Sequence, residues 1–127
     1  MPLVNINIAK GRDKQFLNSL ISITMDCVID ALKLPSNDRN IRLTEYEKNF
    51  FYLKPPYSMV IEISMFSGRT AETKKKLYQS IVSKLFDSLK IQKEEVFIII
   101  NEQPKENWGI RGGIPANEID LGFEVEI

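Results

Sequence analysis

Histidine does not occur among the 127 residues. That absence excludes Ser-His-Asp and Cys-His catalysis, histidine metal ligation and an imidazole titrating near neutral pH. Any proton-transfer group must be of another kind. Cysteine is nearly missing as well: Cys27 alone admits neither an intrachain disulfide nor a thiolate zinc site, and its place inside a helical pattern marks it as a small buried apolar residue. The expectation is no metal and no cofactor. An excess of either charge is lacking too, with 17 Lys and Arg against 17 Asp and Glu, so no global field draws the chain to nucleic acid or to anionic lipid. The longest unbroken apolar run is Val96 to Ile100, far short of the roughly 20 residues of a membrane span. The Met-Pro-Leu-Val-Asn-Ile-Asn start has neither the basic segment nor the apolar core of a secretory signal. These points predict a cytoplasmic protein with no nucleic-acid and no membrane partner.

What is present is an ordinary globular composition, 43% hydrophobic and 27% charged, in a chain long enough to bury roughly two-thirds of its unfolded surface. It is also self-similar. A shift of 57 positions lays Gly11-Arg12 on Gly68-Arg69 and Asp30-Ala31-Leu32-Lys33-Leu34 on Asp87-Ser88-Leu89-Lys90-Ile91. Between these matches the apolar positions coincide, Leu20 on Leu77, Met25 on Val82 and Val28 on Leu85. The chain therefore reads as one domain, residues 1–127, built from two copies at about 2–57 and 58–127.

Each copy reads strand, Gly-Arg turn, helix, strand. Val4, Ile6 and Ile8 alternate with Asn5 and Asn7, and Ile61, Ile63 and Met65 with Glu62 and Ser64, the period of a half-buried strand. Phe16, Leu17, Leu20, Ile21, Val28 and Leu32 recur at helical spacing, as do Leu77, Ile81, Leu85 and Leu89 in the second copy. Asp13 and Thr70 are the expected N-caps. Closing strands are predicted at Ile41–Glu45 and Val96–Asn101. Such compact units make parallel strand pairs with right-handed crossovers. The predicted fold is α+β, a duplicated β-α-β with a four-stranded sheet and two helices on one face. Val96-Phe97-Ile98-Ile99-Ile100 is apolar at every position and so requires cover on both faces. A second subunit is the simplest cover, which predicts a closed homo-oligomer. Lys74-Lys75-Lys76 reads as a solvated helix face, and the aromatic stretch from Tyr46 to Tyr57 as a connector that packs on the core or on another subunit, or walls a pocket.

Candidate chemistry begins at the chain start. Removal of Met1, permitted by the small Pro2, would leave a secondary amine at the head of a buried strand. An α-amine titrates near neutral pH and serves as acid or base where no histidine exists.

The Pro-Leu-Val start, the twice-repeated strand-Gly-Arg-helix-strand unit and the closing Trp108-Gly109-Ile110-Arg111-Gly112-Gly113 segment together resemble the tautomerase superfamily, founded on the 4-oxalocrotonate tautomerases. The fused length, the turn Leu34-Pro35-Ser36-Asn37-Asp38-Arg39 and the Leu77-Tyr78 helix are most similar to the malonate semialdehyde decarboxylase group. The resemblance implies a homotrimer of duplicated subunits and a site carried by three residues. Pro2 matches the catalytic proline, whereas its repeat counterpart Met59 lies within the chain and has no free amine. Asp38 matches an aspartate that activates water and tunes the proline, and Arg69 an arginine that holds a substrate carboxylate and favours an enolate. Trp108 and Ile110 match pocket-wall positions. Without the resemblance, Asp38 and Arg69 read as turn residues, and Trp108 as a subunit contact. Two departures stand out: Ser67-Gly68-Arg69 keeps one arginine where the decarboxylase group has two, and Ile110 replaces a phenylalanine.

The leading expectation is a tautomerase that interconverts keto and enol forms of a small 2-oxo acid. A decarboxylase or hydratase of a 3-oxo acid such as malonate semialdehyde is the alternative enzyme. A non-enzymatic trimer used for binding or signalling is the reading from another class.

Overall fold

A computed structural model describes all residues, 1–127. The first copy supplies β1 (Pro2–Ala9), α1 (Lys14–Leu32) and β2 (Ile41–Tyr46), and the second supplies β3 (Met59–Phe66), α2 (Ala71–Leu89) and β4 (Val96–Gln103). They form one four-stranded sheet in the order β2-β1-β3-β4. Each copy pairs its own strands in parallel, and β1 meets β3 antiparallel at the centre. The expected α+β architecture is present, with both helices on one face of the sheet.

The shift of 57 governs the backbone to its details. Gly11 and Gly68 sit at φ +131° and +133°, a region that disfavours side chains, and turn each strand into its helix. Asp13 accepts from Phe16 N and Thr70 from Thr73 N, which caps both helices as expected. Both helices end on left-handed lysines, Lys33 at φ 53° and Lys90 at φ 58°. Register repeats too: Val4 faces Ile41, and its counterpart Ile61 faces Ile98. The closing strands run past their predicted ends to Tyr46 and Gln103, because Lys10 N donates to Tyr46 O at 2.8 Å and Ser67 N to Gln103 O at 3.0 Å.

The core lies between sheet and helices. Val4, Ile6, Ile8, Met59, Ile61, Ile63 and Met65 are sealed against Leu20, Met25, Val28, Leu32, Leu77, Ile81 and Leu85. At about 1.5–3 kcal/mol per fully buried aliphatic side chain, this layer dominates the stabilisation. α1 is long and apolar enough to cross a membrane by length and composition, and its stripe is spent on this core. Cys27 is buried there, as expected, and burial pushes its thiol pKa up.

The other sheet face is partly open. Phe97 and Ile99 of β4 are each 42% exposed, while Val96 is buried toward the helices. The aromatic connector reaches only part of this face: Tyr46 donates to Asn7 Oδ1 at 2.9 Å, and Tyr57 packs on Phe97 with ring centroids 5.1 Å apart. The lysine run is not wholly solvated. Lys74 is half-buried and paired with Glu102 at 2.6 Å, while Lys75 and Lys76 are exposed.

Beyond β4 the chain forms a small hairpin of β5 (Gly109–Ile110) and β6 (Ile114–Pro115), with all three turn residues, Arg111, Gly112 and Gly113, at positive φ. The segment from Ala116 to Ile127 then folds back over one end of the sheet. There Phe66, Ala116 and Val125 are buried in a second cluster that also takes in Met1, Trp108, Ile110, Leu121 and Phe123.

Candidate active site

Antiparallel pairing of β1 with β3 sets Pro2 opposite Met65, so the start of the chain meets the end of β3 and the Gly68-Arg69 turn. Pro2 is buried and its nitrogen is acylated by Met1. The free amine is therefore that of Met1, and its ammonium lies 2.7 Å from Asp38 Oδ2. Asp38 is placed by a tight turn, its N–H donating to Pro35 O at 3.0 Å. Asn40 Nδ2 donates to Asp38 Oδ1 at 3.0 Å, and the carbonyl of Asn40 accepts from Val4 N at 2.9 Å. The carboxylate is thus held at the head of β1 by the Met1 ammonium and by Asn40, the residue that leads into β2. Its side chain is 15% exposed, so its charge acts through a partly desolvated medium.

Arg69 is not a surface turn residue. It is 5% exposed, Nη1 donates to Phe66 O at 3.4 Å, and Nε and Nη2 have no hydrogen-bond partner within the protein. Burial pushes its pKa down while the charges of Glu102 and then Asp38 pull it up, and a guanidinium stays protonated throughout the ordinary pH range. Glu102 is itself engaged by Lys74. A buried cation with two idle donors is costly unless something anionic meets it.

A cavity of about 240 Å³ opens beside this cluster, walled by Met1, Asp38, Ile110, Arg111, Leu121 and Phe123 among others. Of the residues expected from sequence, Asp38 and Ile110 line it directly. Pro2 lies beneath Met1, and Arg69 is not on the present wall: it bonds the carbonyl of Phe66, on whose cluster Met1 packs. Trp108 is not on the wall either. Its ring meets Phe66 edge-on at 5.1 Å and its Nε1 donates to Gln103 O at 3.3 Å, so it packs behind the wall residue Phe123, on which Phe66 stacks. Sequence reasoning missed Asn37, Arg111, Leu121 and Phe123 on the wall, and Asn40 behind Asp38. Arg111 stood within the closing segment, and the period-two spacing of Leu121, Phe123 and Val125 was a visible sign of a tail with one buried side.

A duplicated β-α-β subunit thus gathers a chain-terminal amine, a carboxylate and a buried guanidinium at the head of its central strand, the constellation that the resemblance to the tautomerases implies. Comparison with known proteins agrees. The profile of the family described as Tautomerase enzyme matches residues 38–111. The probable tautomerase YusQ of Bacillus subtilis (strain 168) is 31% identical over 121 residues, 89% of this chain and 95% of that protein. The chain belongs to the tautomerase enzyme family. Solved structures share its fold: the FG41 malonate semialdehyde decarboxylase inhibited by 3-bromopropiolate superposes with a TM-score of 0.80 at 21% identity, over 89% of this chain and 92% of that one. A wild-type fused 4-OT forming a symmetric trimer gives 0.81 at 21% identity, over 91% and 96%.

Proposed function

We propose that the chain is a keto–enol tautomerase of a small 2-oxo acid that works through the amine of Pro2 once Met1 has been removed. One observation carries this reading: the chain's free amine sits 2.7 Å from the Asp38 carboxylate, next to a buried arginine with two unpartnered nitrogens. Loss of Met1 would vacate the space it fills against Phe66 and Ile110, uncovering both the ring nitrogen of Pro2 and the idle donors of Arg69. Arg69 would then take the substrate carboxylate in a two-pronged hydrogen bond and stabilise the charge that develops on the enolate oxygen. Pro2 would accept the enol O–H proton and pass that same proton to C3, and the reverse path would return the enol. Asp38 would hold and orient the amine. Ile110, backed by Trp108, would exclude water from the apolar side.

The grip of Asn40 on Asp38 favours a second reading. With Oδ1 fixed by Asn40 and Oδ2 turned to the amine, each oxygen keeps a second lone pair that would position water, which is what hydration or decarboxylation of a 3-oxo acid needs. We also propose that the chain acts as one two-repeat domain and assembles as a homotrimer. The exposed Phe97 and Ile99 support that, as does the trimer formed by the fused 4-OT; light scattering at micromolar concentration should give three times the chain mass.

Intact-mass measurement tests the mechanism first. The expected mass is that of residues 2–127, and an active enzyme that retains Met1 would exclude the proline mechanism. Assays on the enol of phenylpyruvate and on malonate semialdehyde then separate the two reactions. Arg69→Ala should raise KM and lower kcat on whichever is turned over, and unchanged kinetics would remove Arg69 from the site.

A further inference from the structure

A second cavity, of about 380 Å³, lies at the opposite end of the β1–β3 pair, where Ile8 faces Met59. The repeat relates the residues that line it to residues on the wall of the first site or packed behind that wall. Arg12 stands where Arg69 does, Ser58 where Met1 does, and both belong to this second wall. The correspondence runs on into the connector. Single 3-10 turns occupy Lys48–Phe50 and Lys105–Asn107, and each is followed by an extended aromatic residue, Phe51 at φ −133°, ψ 94° and Trp108 at φ −114°, ψ 114°. Two residues on, Leu53 takes the place of Ile110. The second cavity thus keeps an arginine, an aromatic side chain and an aliphatic wall, but Ser58 is an internal residue and brings no amine.

Its charge is more positive than that of the first site. Lys10, Arg12 and Lys48 all line it. Lys10 is paired with Glu47 at 2.6 Å, whereas neither Arg12 nor Lys48 has a carboxylate partner. Arg12 instead lies 4.7 Å over the ring of Phe16. Glu95, the counterpart of Asp38, has both carboxylate oxygens engaged, accepting from Ser58 Oγ and from Gln92 N at 2.9 Å each. Two exposed cations beside Phe51 and Leu53 form a site for a molecule with an anionic head and an apolar body.

We propose that this cavity is a second, non-catalytic binding site for a small organic carboxylate, one per chain, separate from the pocket at Asp38. Carboxylate recognition is retained at both ends of the central strands, and acid–base chemistry at one. The proposal rests on the walls of this cavity and not on the assignment of Pro2.

Backbone amide NMR of the full-length protein as purified tests it, with benzoate as probe and benzyl alcohol as its uncharged control. The amides of Gly11 and Phe51 report on the second cavity and that of Ile110 on the first. Saturable benzoate shifts are expected at Gly11 and Phe51, with none from benzyl alcohol. In Arg12→Ala their midpoint should rise at least about tenfold, with partial recovery in Arg12→Lys, while the Ile110 response keeps its wild-type midpoint. Lys48→Ala, at an exposed position, gives an independent reading and should also raise the Gly11 midpoint. No saturable shift at Gly11 would overturn the proposal, as would equal shifts from benzyl alcohol or midpoints indifferent to both substitutions. A silent Ile110 with a responsive Gly11 would count against the first site alone.

Discussion

Asp38 and Glu95 stand one repeat apart at opposite ends of the central strand pair, and each carboxylate takes two hydrogen bonds. Asp38 receives the Met1 ammonium at 2.7 Å and the amide of Asn40, whereas Glu95 receives the Ser58 hydroxyl and the backbone N–H of Gln92. The arginines diverge in the same sense. Arg69 is 5% exposed with two idle nitrogens; Arg12 is exposed and rests on Phe16. One backbone plan therefore carries two different electrostatic situations. The difference traces to what closes each end. Residues 116–127 fold over the Arg69 end and desolvate it, while the Arg12 end has only the connector that leads into β3. A buried guanidinium with two unpartnered nitrogens is costly unless an anion meets it, and this asymmetry is what supports the proposed carboxylate-binding role of Arg69.

The largest expected effect breaks that comparison at the amine. With Met1 removed as proposed, Pro2→Ala would exchange a rigid secondary amine for a primary one, and kcat on an enol acid should fall by roughly 10² or more while the thermal midpoint stays within a few degrees. A variant with undiminished turnover would mean that the two ends do not differ in acid–base function at all.

Next come substitutions where the copies should behave alike. Ile6 and its counterpart Ile63 are both fully buried in the layer under the helices. Ile6→Ala and Ile63→Ala should each cost about 2–5 kcal/mol in denaturant unfolding, and the two values should agree within about 1 kcal/mol. A large disparity would show that the second cluster around Phe66 and Val125 shares load with one copy only. Smaller still is the expected split at the carboxylates. Asp38→Asn should reduce kcat about tenfold with little effect on unfolding, and Glu95→Gln should cost about 1 kcal/mol of stability with kcat unchanged.

The sequence carried the symmetric part of this picture plainly and the asymmetric part hardly at all. Apolar spacing, the Gly-Arg turns and the capping residues are local signals present in both copies, so the helices, the strand pairing and the shift of 57 could be read from them. The burial of Arg69 could not, because it depends on residues more than 45 positions away folding back over the turn. The resemblance to the tautomerases implies a pocket-wall place for Trp108. Its ring turns to Phe66 instead, since Phe66 ends β3 directly beneath it. The equivalence of the connector with residues 103–110 was hidden for another reason. Lys48 matches Lys105 and Phe51 meets Trp108, but the other identities have drifted, and the repeat survives there in backbone angles rather than in letters.

The helix starts give the finest test of how far the copies have parted. Asp13 Oδ1 accepts from Phe16 N at 2.8 Å, the one side-chain hydrogen bond that Asp13 makes. Thr70 Oγ1 accepts from Thr73 N at 3.1 Å and also reaches Ile127 O at 2.9 Å, a carbonyl that Thr73 Oγ1 contacts as well. Loss of an N-cap acceptor costs about 1 kcal/mol, so Asp13→Ala should show that alone. Thr70→Ala should cost about as much again and should loosen the segment that covers Arg69, seen as faster amide exchange at Val125 and Ile127. Thr70→Asp separates the two roles, because aspartate restores the acceptor and its charge suits the helix N-terminus, but it has no proton to give to Ile127. Unfolding free energy should then return to near that of the wild type while exchange at Ile127 stays fast. If Thr70→Asp restores both, the Thr70 hydroxyl adds nothing to the tether, and the closure that distinguishes the two ends rests on the remaining bonds to Ile127 O from Thr73 Oγ1 and Thr70 N and on the packing of Phe66, Phe123 and Val125.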